Sequence, residues 1–181
     1  GNQCWLKENL RSTKYNDGTS IPNVTDGTTW ANLTSPAYCW YDNNYATYGS
    51  VYGALYNWYT VDTEKLCPDG WHVPSDAEWT ELADYLGGAS VAGGKLKETG
   101  TTHWNSPNTG ATNETGFTAL PGSFRMDDGD FLGIRYFGGW WSTTEREPIT
   151  VWRHATSYDH SGIDRYWIPK KIGISVRCVK D

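Results

Sequence analysis

Cysteine, histidine and clustered acid are the residues of this chain that could do chemistry. Its four cysteines are Cys4, Cys39, Cys67 and Cys178, with no C-x-x-C pair among them. No histidine stands at metal-ligand spacing from any of them, so a zinc site has no framework. An even, widely spaced set reads instead as two disulfides made in an oxidising compartment. Three connectivities are open for four cysteines. Pairing neighbours along the chain gives Cys4–Cys39 and leaves Cys67–Cys178. In the loop-closure model these bridges contribute at most about 4 and about 5 kcal/mol. The alternative, four buried thiols in a cytosolic protein, fits the spacing less well. His154 and His160 stand apart on a loop or strand, and His72 and His103 are remote from both, which forms no helical metal cluster. His72, between Trp71 and Val73, reads as a hydrogen-bonded scaffold residue. Asp127-Asp128-Gly129-Asp130 could hold calcium but lacks the ligand spacing of an EF-hand, and reads as a polar hairpin tip.

The elements that must position these groups are short. Val73-Pro74-Ser75-Asp76-Ala77-Glu78-Trp79 opens a helix, with Ser75 as N-cap and Glu78 completing a capping box. Trp79, Leu82, Ala83 and Leu86 fall on one helical face, and Gly87-Gly88 stops it. Val51, Ala54, Leu55 and Trp58 repeat at helical spacing and predict a second helix from Val51 to Tyr59. Ile172, Ile174, Val176 and Cys178 alternate, which predicts a strand with one buried face. Shorter strands are expected at Gln3–Glu8, Phe117–Leu120, Trp140–Thr143 and Val151–His154. Turn-forming stretches such as Asn16-Asp17-Gly18 separate them.

Composition narrows the function classes. Only 38% of the 181 residues are hydrophobic, yet there are 11 Trp and 12 Tyr, large rings that can build either a core or a binding face. The net charge is −6, and no Lys/Arg run is longer than Lys170-Lys171, so the basic stripe a nucleic acid needs is missing. No apolar stretch is long enough to insert this domain in a membrane. Without low-complexity linkers or repeats, residues 1–181 read as one domain, and the abrupt start at Gly1-Asn2-Gln3-Cys4 as an excised domain or mature product.

Several segments together resemble a known family. They are Cys4-Trp5-Leu6-Lys7-Glu8-Asn9-Leu10, Tyr52-Gly53-Ala54-Leu55-Tyr56-Asn57-Trp58 and Cys67-Pro68-Asp69-Gly70-Trp71-His72-Val73-Pro74-Ser75. Gly116-Phe117-Thr118-Ala119-Leu120-Pro121-Gly122, Trp140-Trp141-Ser142-Thr143-Thr144-Glu145 and Ser175-Val176-Arg177-Cys178-Val179 complete the set. In this order they are similar to the Fibrobacter succinogenes major paralogous domain (FISUMP) family over almost the whole chain. The resemblance implies an α+β, C-type-lectin-like fold of the formylglycine-generating-enzyme kind, with helices, short antiparallel strands and long loops. It implies an exported bacterial domain, secreted or at the cell surface, with no enzymatic role. Some lectin-fold proteins of this kind are diversified by retroelements near the C-terminus, and residues 145–171 resemble such a variable segment, although Asn is absent from them.

Against the relatives' chemistry, the C-terminal part carries only Cys178, so the thiol pair of the formylglycine-generating enzymes is absent. The calcium motifs of sugar-binding lectins are matched only superficially by Glu147-Pro148-Ile149 and Trp104-Asn105-Ser106. No cofactor is expected beyond a structural calcium at most, and the catalytic and metal sets are empty. What remains is a recognition surface rich in Arg, His, Tyr, Trp and acid. Its expected ligand-binding residues are Arg135, Tyr136, Phe137, Arg146, Glu147, Ile149, Arg153 and His154, with Tyr158, Asp159, His160, Asp164, Tyr166, Trp167 and Ile168. The expected partner is a host or bacterial surface protein or glycan. The alternative is a structural module of a fimbrial or cell-envelope assembly.

Overall fold

The first half of the chain is built from short pieces, in a computed structural model that describes residues 1–181. Helix α1 (Gly27–Ala31) and strand β1 (Tyr38–Cys39) precede α2 (Ser50–Tyr52), β2 (Leu55–Tyr56) and α3 (Trp58–Val61). The single helix expected over 51–59 is therefore absent. Gly53 stands at φ 86°, and a Cβ there would come within 2.9 Å of the Leu10 carbonyl oxygen, so only glycine fits this break. Leu55 and Tyr56 then pair antiparallel with Cys39 and Tyr38, and the Asn57 side chain caps α3 by accepting from the Thr60 N–H. Ala54, Leu55 and Trp58 are buried as expected, but by tertiary contacts rather than on one helical stripe.

Strand β3 (Trp71–His72) leads into α4 (Asp76–Tyr85), which forms where the sequence predicts it. Ser75 Oγ accepts from the Glu78 N–H while the Glu78 carboxylate accepts from the Ser75 N–H, satisfying two helix-end donors reciprocally. A second helix, α5 (Ala89–Leu96), follows at once and was not expected, because Gly93 and Gly94 lie in its interior. Those glycines are required by packing. A Cβ on Gly93 would lie 1.9 Å from the Gly162 carbonyl oxygen, and one on Gly94 would lie 2.4 Å from that of Gly110.

Strands β4 (Phe124–Arg125) and β5 (Phe131–Leu132) make a hairpin with Asp127-Asp128-Gly129-Asp130 at its tip. Strands β6 (Phe137–Glu147), β7 (Thr150–Ser157) and β8 (Ile163–Pro169) form an antiparallel sheet in the order β6-β7-β8. The expected strands at 140–143 and 151–154 lie inside β6 and β7; those at 3–8 and 117–120 reduce to single bridges of Trp5 with Val179 and Ala119 with Lys97. Short helices and antiparallel sheets make an α+β architecture.

The C-terminal run is not one long strand. Only Val179–Lys180, β9, pairs as a strand, with β3, while Gly173, Ile174 and Ser175 bridge Arg125, Tyr56 and Trp140. Nor is its buried face single: Ile172, Ile174, Val176 and Cys178 are buried, but so are Ser175 and Arg177. Arg177 is tolerated there because its guanidinium donates to the carbonyls of Leu6, Lys7 and Phe117 and to Asn9 Oδ1. This segment threads the main apolar core, beside Trp58, Trp141 and Val73.

The disulfide expectation holds for one pair and fails for the other. Cys67 and Cys178 are bonded across 111 positions, tying the core-threading segment to the chain ahead of β3. Cys4 and Cys39 are free thiols. Nearness along the chain misleads here, because Cys4 runs beside β9, where its carbonyl accepts from Lys180, and Cys39 is buried with Trp30, Tyr41 and Leu55. Burial pushes the Cys39 thiol up to about 12.

Candidate functional site

Thirteen of the fifteen expected binding residues lie on or between β6, β7 and β8, and the register of that sheet decides which way each faces. Trp141 on β6, Arg153 on β7 and Tyr166 on β8 are direct neighbours across the ladder, as are Trp140, His154 and Arg165. Because side chains alternate, these two rows occupy opposite faces. The free edge is β8, which presents Tyr166 at 60% and Trp167 at 47% exposure, one on each face.

On the face toward α4, aromatic rings and arginines alternate. The Arg146 guanidinium carbon lies 4.3 Å from the Trp167 ring centroid, and that of Arg165 lies 3.4 Å from the Trp152 ring. Arg165 also grips Asp76 with two nitrogens, at 2.7 and 2.9 Å. Asp76 accepts a third bond, from His154 Nε2 at 3.0 Å, and the His154 ring stacks on Trp79 with an interplanar angle of 16°. Burial works to raise the Asp76 pKa, but the His154 and Arg165 bonds outweigh it and hold the carboxyl far below the usual range. His154 is only 2% exposed, and burial keeps its pKa below the ordinary histidine value despite the Asp76 bond. It is thus a scaffold residue joining β7 to α4, not a surface contact. That corrects its place in the expected set.

On the opposite face, Arg153 lies between the rings of Phe124 and Tyr166, at 5.4 and 5.7 Å from their centroids. Phe124 packs on Phe137, which neighbours Tyr136, and Tyr136 meets Tyr158 edge-on at 5.1 Å. Tyr136, Phe137 and Tyr166 are exposed and Tyr158 is half-buried, so four of the five expected aromatics gather on this face, while Trp167 lies on the other. Phe124 joins the four. Nothing in the sequence marked Phe124, because only the β4–β5 hairpin brings it to the sheet.

The other expected residues divide between tip and scaffold. Ile149 is 74% exposed at the β6–β7 turn, near Glu147, whose carboxylate lies 3.6 Å from Arg146. Ile168 packs inward against the main core. Arg135, at φ 71°, donates to the carbonyls of Thr101, Thr102 and Trp104 and holds a loop in place. Asp159 accepts from the Ser157 hydroxyl, and His160 pairs with Asp164 at 3.3 Å. The turn carrying Tyr158 to His160 is pinned from below by buried Lys97, whose ammonium donates to the carbonyls of Thr109, Ser157 and His160. Burial brings the Lys97 pKa down to about 8. Arg135, Ile168 and buried His154 therefore belong to the frame rather than to the exposed surface.

His72 takes the scaffold role expected of it, bonded through Nδ1 to Asp181 and through Nε2 to Glu78, at 2.7 and 2.8 Å. No three His, Cys, Asp or Glu side chains gather in a group that could hold a metal ion. A cleft of about 970 Å³ runs between residues 1–7, α4 and the 114–117 loop, and shares no residue with the β6–β8 sheet.

A family model described as the Fibrobacter succinogenes major domain matches residues 1–180. No curated protein and no solved structure matches the chain.

Proposed function

The chain belongs to the Fibrobacter succinogenes major domain family, and from that premise we propose that it is a non-catalytic recognition domain with a C-type-lectin-like fold. It binds a surface protein or glycan through the β6–β8 sheet. The observation that carries this is the β8 edge, where adjacent Tyr166 and Trp167 are exposed on opposite faces and each is backed by an arginine. Rings and arginines of this kind are what binding hot spots use. Beneath them the sheet is locked to α4 through Asp76, so side chains at the surface can vary without loosening the backbone. Residues 145–171, the segment that resembles a retroelement-diversified stretch, supply most of that surface.

Support for a non-catalytic role comes from how the titratable groups are used. Asp76, His154 and Arg165 satisfy one another, and His72 is held between two carboxylates. The Cys67–Cys178 bridge fits an oxidising compartment, and hence an exported, surface or secreted domain with an adhesive role. No helix is long and apolar enough to cross a membrane.

The test is binding of the chain and of a Tyr166→Ala/Trp167→Ala variant to glycan and surface-protein arrays, with and without EDTA. The expected result is a ligand lost in the variant while its melting temperature stays near the parent value, since exposed substitutions change stability by only about 0.5 kcal/mol. A ligand that the variant still binds overturns the assignment to this sheet, and the EDTA lane reports calcium dependence. The separate cleft lined by Trp5, Leu82, Tyr85, Leu86 and Phe117 favours one second reading, an assembly module docking a neighbouring subunit there. That reading predicts self-association or subunit docking, measured by light scattering, that Tyr85→Ala weakens and the sheet variant leaves intact.

A further inference from the structure

Arg153 is the cation of the sheet that rests between two rings but has no hydrogen bond or ion pair within the protein. Its Nε is buried without a hydrogen-bond partner, and its guanidinium takes part in no ion pair of the structure. The other buried arginines are treated differently. Arg125 donates to the carbonyls of Val24, Thr25 and Gly129, and Arg177 to those of Leu6, Lys7 and Phe117. Asp164, the nearby acid on β8, is engaged by His160 instead. A half-buried guanidinium without a partner is costly, so its retention points to a partner that arrives from outside.

From this we infer that Arg153 anchors a carboxylate of the ligand, and that the ligand is an acidic carbohydrate of the hexuronate class. The inference rests on the recognition surface proposed above. A guanidinium offers paired N–H donors that match the two oxygens of a carboxylate, and rings on either side keep water away and strengthen the pairing. The face carries one free guanidinium, since Lys170 on the same side is already paired with Glu145, and one such charge suits a singly charged carboxylate better than a phosphate dianion. Exposed Tyr166 and Phe137 flank the site with flat apolar faces, on which the C–H face of a sugar ring can lie. An extended peptide lying across this face would find no main-chain partners in β7, whose backbone polar groups are committed within the plane of the sheet. A Glu-rich peptide tests one that pairs with the edge of β8 instead.

The experiment is calorimetric titration of the full chain with a galacturonate trisaccharide, its methyl ester and a Glu-rich peptide. Arg153→Gln and Arg153→Lys are titrated alongside, with melting temperatures recorded. The free acid is expected to bind, and the ester or Arg153→Gln to weaken binding by about 10- to 100-fold, the worth of a charge-assisted bond. Arg153→Lys should retain part of the affinity. Because Arg153 makes no internal hydrogen bond, Arg153→Gln is expected to melt no lower than the parent, which keeps any loss of binding interpretable. Equal binding of acid and ester, unchanged affinity in Arg153→Gln, absence of uronate binding, or tighter binding of the peptide each overturns the proposal. If array ligands still depend on Tyr166 and Trp167 in those cases, only the carboxylate assignment fails; if they do not, the recognition surface itself fails.

Discussion

Arg165 lies flat on Trp152, with its guanidinium carbon 3.4 Å from the ring centroid, while its nitrogens hold Asp76 at the first turn of α4. One side chain thus joins the edge strand β8 to the middle strand β7 and to the capped helix. Asp76 is the hub of this arrangement, because it also accepts from buried His154. Asp76→Ala should destabilise the domain by about 2–3 kcal/mol, since His154 and Arg165 both lose their partner. Urea unfolding measures it, and a change below about 0.5 kcal/mol would mean the three groups act independently.

The histidines on either side of α4 should titrate in opposite directions. Burial depresses the His154 pKa below 6.5. For His72, burial opposes the charge, but the bonds to Asp181 and Glu78 outweigh it and raise the pKa above 6.5. His154 binds its proton more weakly folded than unfolded, so its contribution to stability is complete above about pH 6.5 and is lost as pH falls below that value. Asp76, depressed below 3.8, adds a further loss at lower pH. His72 has the reverse sign: its contribution is complete below about pH 6.5 and fades as pH rises through its folded value. Imidazole NMR titration of the folded domain checks both. His154 titrating above His72 would contradict the structure.

Thiol chemistry should separate the four cysteines into three behaviours. Exposed Cys4 should react with maleimide in the native state, and buried Cys39, pushed up to about 12, only after unfolding. Cys67 and Cys178 should react only after reduction. Breaking that bridge removes a loop of 111 positions and should cost up to about 5 kcal/mol in the chain-entropy account. Mass spectrometry of labelled protein, with melting curves in reductant, reads both effects; a native protein without free thiols would show that Cys4 and Cys39 pair after all.

Where a local rule is sufficient, the element can be read from residue order alone. Ser75 and Glu78 sit three apart and need only one another, so α4 and its cap are legible without any tertiary knowledge. The family motifs, the segment that forms most of β6–β8 and the Cys67–Cys178 bridge were legible too, the last only as one product of an even count. Tertiary structure decided what local rules cannot carry. Gly53 interrupts an apolar pattern that reads as helix, because the Leu10 carbonyl lies against it. Gly93 and Gly94 permit a helix that propensity disfavours, because the backbones at 162 and 110 approach too closely for a Cβ. Cys39 is separated from Cys4 by burial around Trp30. The same holds within the candidate site. Residue type marked Arg153, His154 and Tyr166 alike, but only the pleat of β7 and its register with β8 turn His154 toward Asp76 and leave Arg153 beside Phe124 without a partner.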